Sequence, residues 1–128
     1  HLTVVQKPEI LAQINAAFQK AVGDPNMQVT YGAPTVIYVS CKNEDEEIVK
    51  GCNAGVVMEN MLLEAADLGL GAVYLFGVSQ VLFANEEITK LLQIPEGFRT
   101  VSAIAVGTSA DALQERTLGT DKISTTTL

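Results

Sequence analysis

The sequence has no tryptophan and one histidine, His1, among its 128 residues. A single histidine argues against a metal site built from several histidines. It also argues against a nucleophilic serine or cysteine activated by histidine. Cysteine is also scarce, and Cys41 and Cys52 form no CxxC motif. We interpret them as two buried thiols of a reducing compartment, although Cys52 could instead lie at a helix start with a lowered pKa. We therefore expect no metal and no catalytic side chain.

Basic residues are few as well, eight against 15 acidic ones, and they are scattered singly. A nucleic-acid partner requires a basic stripe that neutralises phosphates, so we expect none. No apolar run approaches the roughly 18 residues of a membrane span, and we expect a cytoplasmic protein without a membrane partner. The acidic run Glu44–Glu47 is interpreted as a solvated loop, because it lacks the spaced ligands and the glycine of a calcium loop. Apolar residues make up 48% of the chain and charged ones 18%, which favours a folded domain with part of its apolar surface covered by another subunit.

Hydrophobic periodicity predicts strands that alternate with helices, as in an α/β or α+β domain. The predicted strands are Leu2–Gln6, Thr35–Ser40, Ala72–Phe76 and Val101–Val106. The predicted helices run from Pro8 to a stop at Gly23, over Ala54–Leu68 after the N-cap Asn53, around Ser79 to Phe83, and from the N-cap Asn85 through Leu92. The helix Ala54–Leu68 is apolar nearly all round, which predicts burial on more than one side and, with Met58 and Met61, a place at a subunit interface.

The glycine cluster around Gly69 and Gly71 is the most conspicuous loop signal in the chain. These glycines follow a helix and precede a strand, which is the reverse of the order in a dinucleotide-binding loop. We interpret them as a helix C-cap and a tight turn. Glu59, Glu64 and Asp67 form no catalytic pair and are interpreted as a solvated helix face. If the chain is an enzyme, a cofactor therefore carries the reaction.

Five segments of the chain follow one another in the order and spacing of a known family. They are His1–Val5, Ala33–Tyr38, Asn53–Gly71, Leu92–Arg99 and Ala103–Gly107. Together they resemble the nitroreductase family of flavoproteins. The resemblance implies an α+β fold with a mixed sheet flanked by helices, in an intertwined homodimer. It also implies an FMN cofactor and an enzyme that transfers two electrons from NAD(P)H to nitroaromatic, quinone or similar acceptors.

The resemblance also implies which residues bind FMN. Tyr74, Leu75, Phe76 and Gly77 would run along the isoalloxazine ring, with a backbone N–H of Phe76 or Gly77 near the flavin N5. Family members often have glutamate or glycine where this chain has Phe76. The resemblance therefore supports a role for the backbone at this position and does not support one for the side chain. Near the C-terminus, Arg116 is the first candidate and Lys122 the second for the basic residue on the phosphate. The alternative for both is a solvated cation of the tail.

One family feature has no counterpart in the sequence, namely an N-terminal helix with an Arg-Ser-x-Arg-like cluster on the phosphate. Because the sequence opens on His1 in the middle of a motif, we expect that it begins inside a domain and that this chain alone binds FMN weakly. We divide it into a flavin-binding core, residues 1–116, and an extended tail, residues 117–128, that reaches the partner subunit. The alternative function is a non-catalytic binding or assembly module that keeps the dimeric fold without a working flavin site.

Overall fold

The computed structural model describes residues 1–77, 81, 85–111, 115, 117, 119 and 122–128. Strands and helices alternate along most of this part of the chain. In chain order they are β1 (Leu2–Val5), α1 (Pro8–Val22), β2 (Thr35–Lys42), α2 (Glu47–Asp67), β3 (Gly71–Tyr74), α3 (Glu86–Leu91) and β4 (Phe98–Gly107). None of the helices in these ranges is both long and apolar enough to cross a membrane. The short helix predicted around Ser79 to Phe83 lies outside the described residues, except for Val81.

The four strands form one sheet in the order β1-β2-β4-β3. The α+β class is confirmed, with the difference that every pair among the described strands is antiparallel rather than mixed. The reason is the position of the last strand. β2 and β3 run in the same direction, but β4 lies between them and pairs with both in the opposite direction. β3 consequently lies at one edge of this sheet, with β4 as its single neighbour.

Helices cover both faces of the sheet, which explains the nearly continuous apolar sequence of β2. Val36 and Tyr38 of β2 pack on one side with Ile14 and Phe18 of α1. The intervening Val39 packs on the other side against α2. Because successive side chains of a strand point to opposite faces, a strand buried on both sides needs apolar residues at consecutive positions. The prediction that β2 is a central, doubly buried strand is confirmed.

Local signals set several of the helix ends. α1 begins at Pro8 and ends before Gly23, whose φ is +74°, as the sequence predicts. The Asn85 side chain accepts hydrogen bonds from the backbone N–H groups of Glu87 and Ile88, which confirms it as the N-cap of α3. The predicted helix stop after α2 is also confirmed, because Gly69 has a φ of +70° and its N–H donates to the Ala66 carbonyl.

The predicted start of α2 at Asn53 is wrong, because the helix begins at Glu47. Gly51 and Asn53 have low helix propensity, each costing up to about 1 kcal/mol, but tertiary contacts outweigh that cost. Lys50 in the added turns is only 2% exposed, and its ammonium donates to the Asn43 carbonyl at 2.9 Å. The acidic run is therefore a loop only as far as Glu46.

The position and packing of residues on and beside α2 correct two further predictions. Cys52 lies inside the helix and is exposed, so it is neither buried nor at a helix N-terminus, while Cys41 is half-buried. Met58 is buried against the sheet with Met61 beside it, so these methionines belong to the core of the chain. The apolar residues left exposed on α2 are Ile48, Val49, Val56 and Leu63.

Candidate functional site

The segment Tyr74–Gly77 leaves the edge of the sheet where β3 ends. Leu75 anchors it, because its side chain is buried and its backbone N–H donates to the Ala103 carbonyl at 2.8 Å. Tyr74 and Phe76, on either side of Leu75 in sequence, are 41% and 59% exposed, and their ring centroids lie 5.9 Å apart. A Cβ added to Gly77 would meet no described atom within 4 Å. The segment thus combines a fixed backbone with an exposed aromatic pair and an open glycine.

Two clefts flank this segment, and Tyr74 and Phe76 line both of them. The first, of about 270 Å³, lies against the end of α1 and the following loop. Its other lining residues include Phe18, Met27, Val29 and Tyr31. The second, of about 360 Å³, lies between the start of α2 and β4. Its other lining residues include Glu47, Gly51, Ala54, Arg99 and Thr100. Small-molecule sites typically measure about 300–1,000 Å³, so the second cleft lies at the lower end of this range and the first just below it.

Two charged residues, Glu47 and Arg99, line the second cleft and form a cluster with the buried Lys50. The Glu47 carboxylate accepts a hydrogen bond from the Lys50 ammonium at 3.0 Å, and its other oxygen accepts one from the Arg99 guanidinium. Lys50 is buried, whereas Glu47 and Arg99 are largely exposed. The cluster therefore ties the first turn of α2 to the beginning of β4.

The hydrogen bond from Lys50 lowers the pKa of Glu47, and Arg99 lowers it further through a second hydrogen bond and its charge. A carboxylate with a lowered pKa in the folded state contributes stability above its unfolded pKa. That contribution is lost as the pH falls through the folded pKa. Because Glu47 is largely exposed, solvent screens the interaction and the contribution is small.

The structure describes only one of the two residues predicted to bind the phosphate. Arg116 lies outside the described residues. Lys122 is exposed, and no hydrogen bond or ion pair joins it to any residue that the structure describes. The tail residues around it are exposed too, including Ile123 and Leu128. The roles of Arg116 and Lys122, and the division between the core and tail, stay predictions.

The role of Tyr74–Gly77 in binding FMN stays a prediction of the sequence resemblance, and sequence reasoning missed the cluster of Glu47, Lys50 and Arg99. The misplaced start of α2 left Glu47 in a loop, so no partner for Arg99 was visible. No local sequence signal places Arg99 beside α2. Arg99 lies opposite Cys41 in the register of β2 and β4, and the thiol of Cys41 contacts the Lys50 carbonyl of α2. Strand alternation alone would place Arg99 on the other face, because the register shifts by one residue between Ser102 and Thr100.

Comparison with known proteins gives the family. The family model described as "Nitroreductase family" matches residues 2–108. The chain belongs to the nitroreductase family. The resemblance stated from the sequence motifs is thereby confirmed.

A curated relative and two solved structures of nitroreductases illustrate the similarity. A protein from Methanothermobacter thermautotrophicus, provisionally named NADH dehydrogenase/NAD(P)H nitroreductase, is 33% identical over 115 residues. The alignment covers 87% of this chain and 56% of that relative, so the chain spans little more than half of its length. A Bacteroides fragilis nitroreductase with bound FMN matches with a TM-score of 0.81 and 22% identity, over 98% of this chain and 75% of the other. A Desulfitobacterium hafniense nitroreductase with bound FMN matches with a TM-score of 0.77 and 20% identity, over 98% and 74%. At these identities, the solved structures show that the chain has the nitroreductase fold.

Proposed function

We propose that this chain is an FMN-dependent oxidoreductase that transfers two electrons from NAD(P)H to nitroaromatic, quinone or similar acceptors. The observation that carries the proposal is the exposed segment Tyr74–Gly77, which opens onto two clefts in a chain of the nitroreductase family. Two proteins of the same fold are described with bound FMN. The name of the curated relative supports NAD(P)H as the reductant.

The residues of this segment fit the ring of a flavin. A flat aromatic ring is favoured beside exposed aromatic side chains such as Tyr74 and Phe76. Gly77 leaves space for a ligand to approach the backbone, which any larger residue would partly fill. Leu75, which is anchored between them, fixes the backbone, so little conformational entropy is lost when FMN binds.

FMN, when bound, would supply the two-electron chemistry itself. The chain's own residues would bind and orient it. Tyr74 and Phe76 would exclude water from the ring, and a backbone N–H of Phe76 or Gly77 would donate a hydrogen bond to it. Arg116, or Lys122 in its place, would pair with the phosphate. No side chain is required as an acid or base.

We also propose that the active form is a homodimer in which α2 lies at the interface. The face of α2 that points away from the sheet exposes Ile48, Val56 and Leu63 to 71%, 64% and 60%. Apolar residues in a row along one helix face are typical of a surface that another protein covers. The family resemblance implies that a second copy of this chain is that protein, and that the tail beyond residue 116 reaches it.

The proposed reaction is tested by titrating FMN with the purified protein and following flavin fluorescence, because this chain alone is expected to bind FMN weakly. At saturating protein, we expect NADH or NADPH to bleach the bound flavin without oxygen faster than it bleaches free FMN, and a quinone to restore it. Flavin fluorescence that does not change at any protein concentration would contradict the proposal and favour the non-catalytic assembly module. A bound flavin that neither NADH nor NADPH bleaches would contradict the reductant.

A further inference from the structure

The second cleft, between the start of α2 and β4, has a charged wall that the first cleft lacks. Glu47 and Arg99 line the second cleft, whereas no charged residue in the described part of the chain lines the first. Both clefts share the partly exposed rings of Tyr74 and Phe76. The second cleft therefore combines an aromatic wall with a charged one, and the two clefts fit different kinds of ligand.

The charged wall carries one surplus positive charge. The Glu47 carboxylate accepts hydrogen bonds from both Lys50 and Arg99, so two cations surround one anion. Lys50 is buried, and its ammonium is held in place because it also donates to the Asn43 carbonyl at 2.9 Å. Lys50 thus offsets the charge of Glu47 permanently, and the positive charge of Arg99 remains uncompensated at the cleft.

The guanidinium of Arg99 is accessible to a ligand and keeps unused hydrogen-bond donors. Its side chain is 46% exposed. A guanidinium has five N–H donors, and Nη2 is the one side-chain nitrogen of Arg99 that bonds to a residue described in the structure. The other donors are available for the paired hydrogen bonds that a planar anionic group accepts.

The size and charge of the cleft favour a single ring with one negative charge. Its volume is about 360 Å³, which has room for a ring and a carboxylate, because a closed cavity of about 150 Å³ in another protein holds benzene. A flat ring packs favourably beside the rings of Tyr74 and Phe76. A phosphate monoester carries close to two negative charges, and the second would lie without a partner beside the Glu47 carboxylate.

We propose that the second cleft binds a small aromatic carboxylate, with the carboxylate paired to Arg99 and the ring beside Tyr74 and Phe76. All the groups that form this site belong to the chain itself, so binding does not require FMN. The site therefore holds or fails separately from the proposed flavin site, although the two share the segment Tyr74–Gly77.

The test is a fluorine NMR titration of the protein, without FMN, with 4-fluorobenzoate and with 4-fluorobenzamide, a neutral ring of nearly the same shape. We expect the benzoate to bind about tenfold more tightly, the value of a hydrogen bond to a charged group. Arg99→Met is expected to abolish this preference. Lys20→Met removes the charge of an exposed lysine of α1 that lines neither cleft and is expected to keep it.

Two further variants separate the contributions of charge and ring. Glu47→Gln removes the carboxylate that competes with the ligand for Arg99 and keeps an oxygen that accepts from Lys50. We expect the preference for the benzoate to rise about two- to fivefold, the value of an exposed ion pair. Phe76→Ala removes a ring contact alone, so we expect both probes to bind about two- to tenfold more weakly with their ratio unchanged.

Gly51→Leu locates the site. Gly51 lines the cleft, and a Cβ added there meets no described atom within 4 Å, so a leucine side chain occupies space that the ligand needs. Leucine is also a better helix former than glycine, and we expect Tm not to fall. Gly55→Leu makes the same change one turn further along α2, outside the lining of the cleft, and is expected to bind both probes as the wild type does.

The proposal is overturned if the wild type does not bind 4-fluorobenzoate, or binds it no more tightly than the amide. It is also overturned if Arg99→Met keeps the preference, if Glu47→Gln lowers it, or if Phe76→Ala leaves both affinities unchanged. A Gly51→Leu variant that binds the benzoate as tightly as Gly55→Leu would show that the ligand lies outside this cleft, which likewise overturns the proposal.

Discussion

Gly77→Val is expected to weaken FMN binding about tenfold or more while leaving the fold intact. We expect the fold to tolerate the change because a Cβ added at Gly77 meets no described atom within 4 Å. In the proposed complex, that space is where the ligand approaches the backbone. Overpacking at such a contact costs about 1–3 kcal/mol, and each 1.4 kcal/mol is a tenfold change in affinity.

The measurement is an FMN titration followed by flavin fluorescence, with thermal melts of each variant. Ala16→Val is the matched control, because Ala16 is an exposed residue of α1 that lines neither cleft. We expect its FMN affinity to equal that of the wild type. If Gly77→Val binds FMN as tightly as Ala16→Val does, FMN does not lie against this glycine and the proposed ring site is wrong.

The double variant Val56→Lys, Leu63→Lys is expected to convert a dimer into a monomer. Both residues lie on the exposed face of α2, more than half exposed in the single chain. In the proposed interface each lysine would place an ammonium group in a water-excluded contact. At the few residues that dominate an interface, a substitution costs about 2 kcal/mol or more, so we expect the dimer Kd to rise about a hundredfold or more for the pair.

Light scattering during gel filtration at micromolar concentration measures this change. Val22→Lys provides the control, because it adds the same charge at an exposed apolar residue at the end of α1. It is expected to leave the dimer unchanged. A wild type that is already monomeric would contradict the proposed dimer. A double variant that is as dimeric as the control would show that α2 does not form the interface.

Much of this fold could be predicted because local sequence signals decide it. Gly23 and Asn85 act through their own backbone or side chain within one helical turn, so spacing alone identifies them. β2 was predicted as a buried strand because alternation puts neighbouring apolar residues on opposite faces. The candidate segment Tyr74–Gly77 was found in a different way, through the family resemblance.

The features that sequence reasoning missed depend on residues far apart in the chain. α2 extends through Gly51 and Asn53 because Lys50 is buried and bonded to Asn43, and no local propensity encodes that contact. The ion pair between Glu47 and Arg99 joins residues 52 positions apart.

The most direct test of the account is a crystal structure of this chain grown with saturating FMN. We expect the isoalloxazine ring to contact Tyr74 and Phe76, with the backbone N–H of Phe76 or Gly77 at hydrogen-bond distance from it. A ring bound elsewhere, with both clefts beside Tyr74–Gly77 empty, would contradict the proposed site.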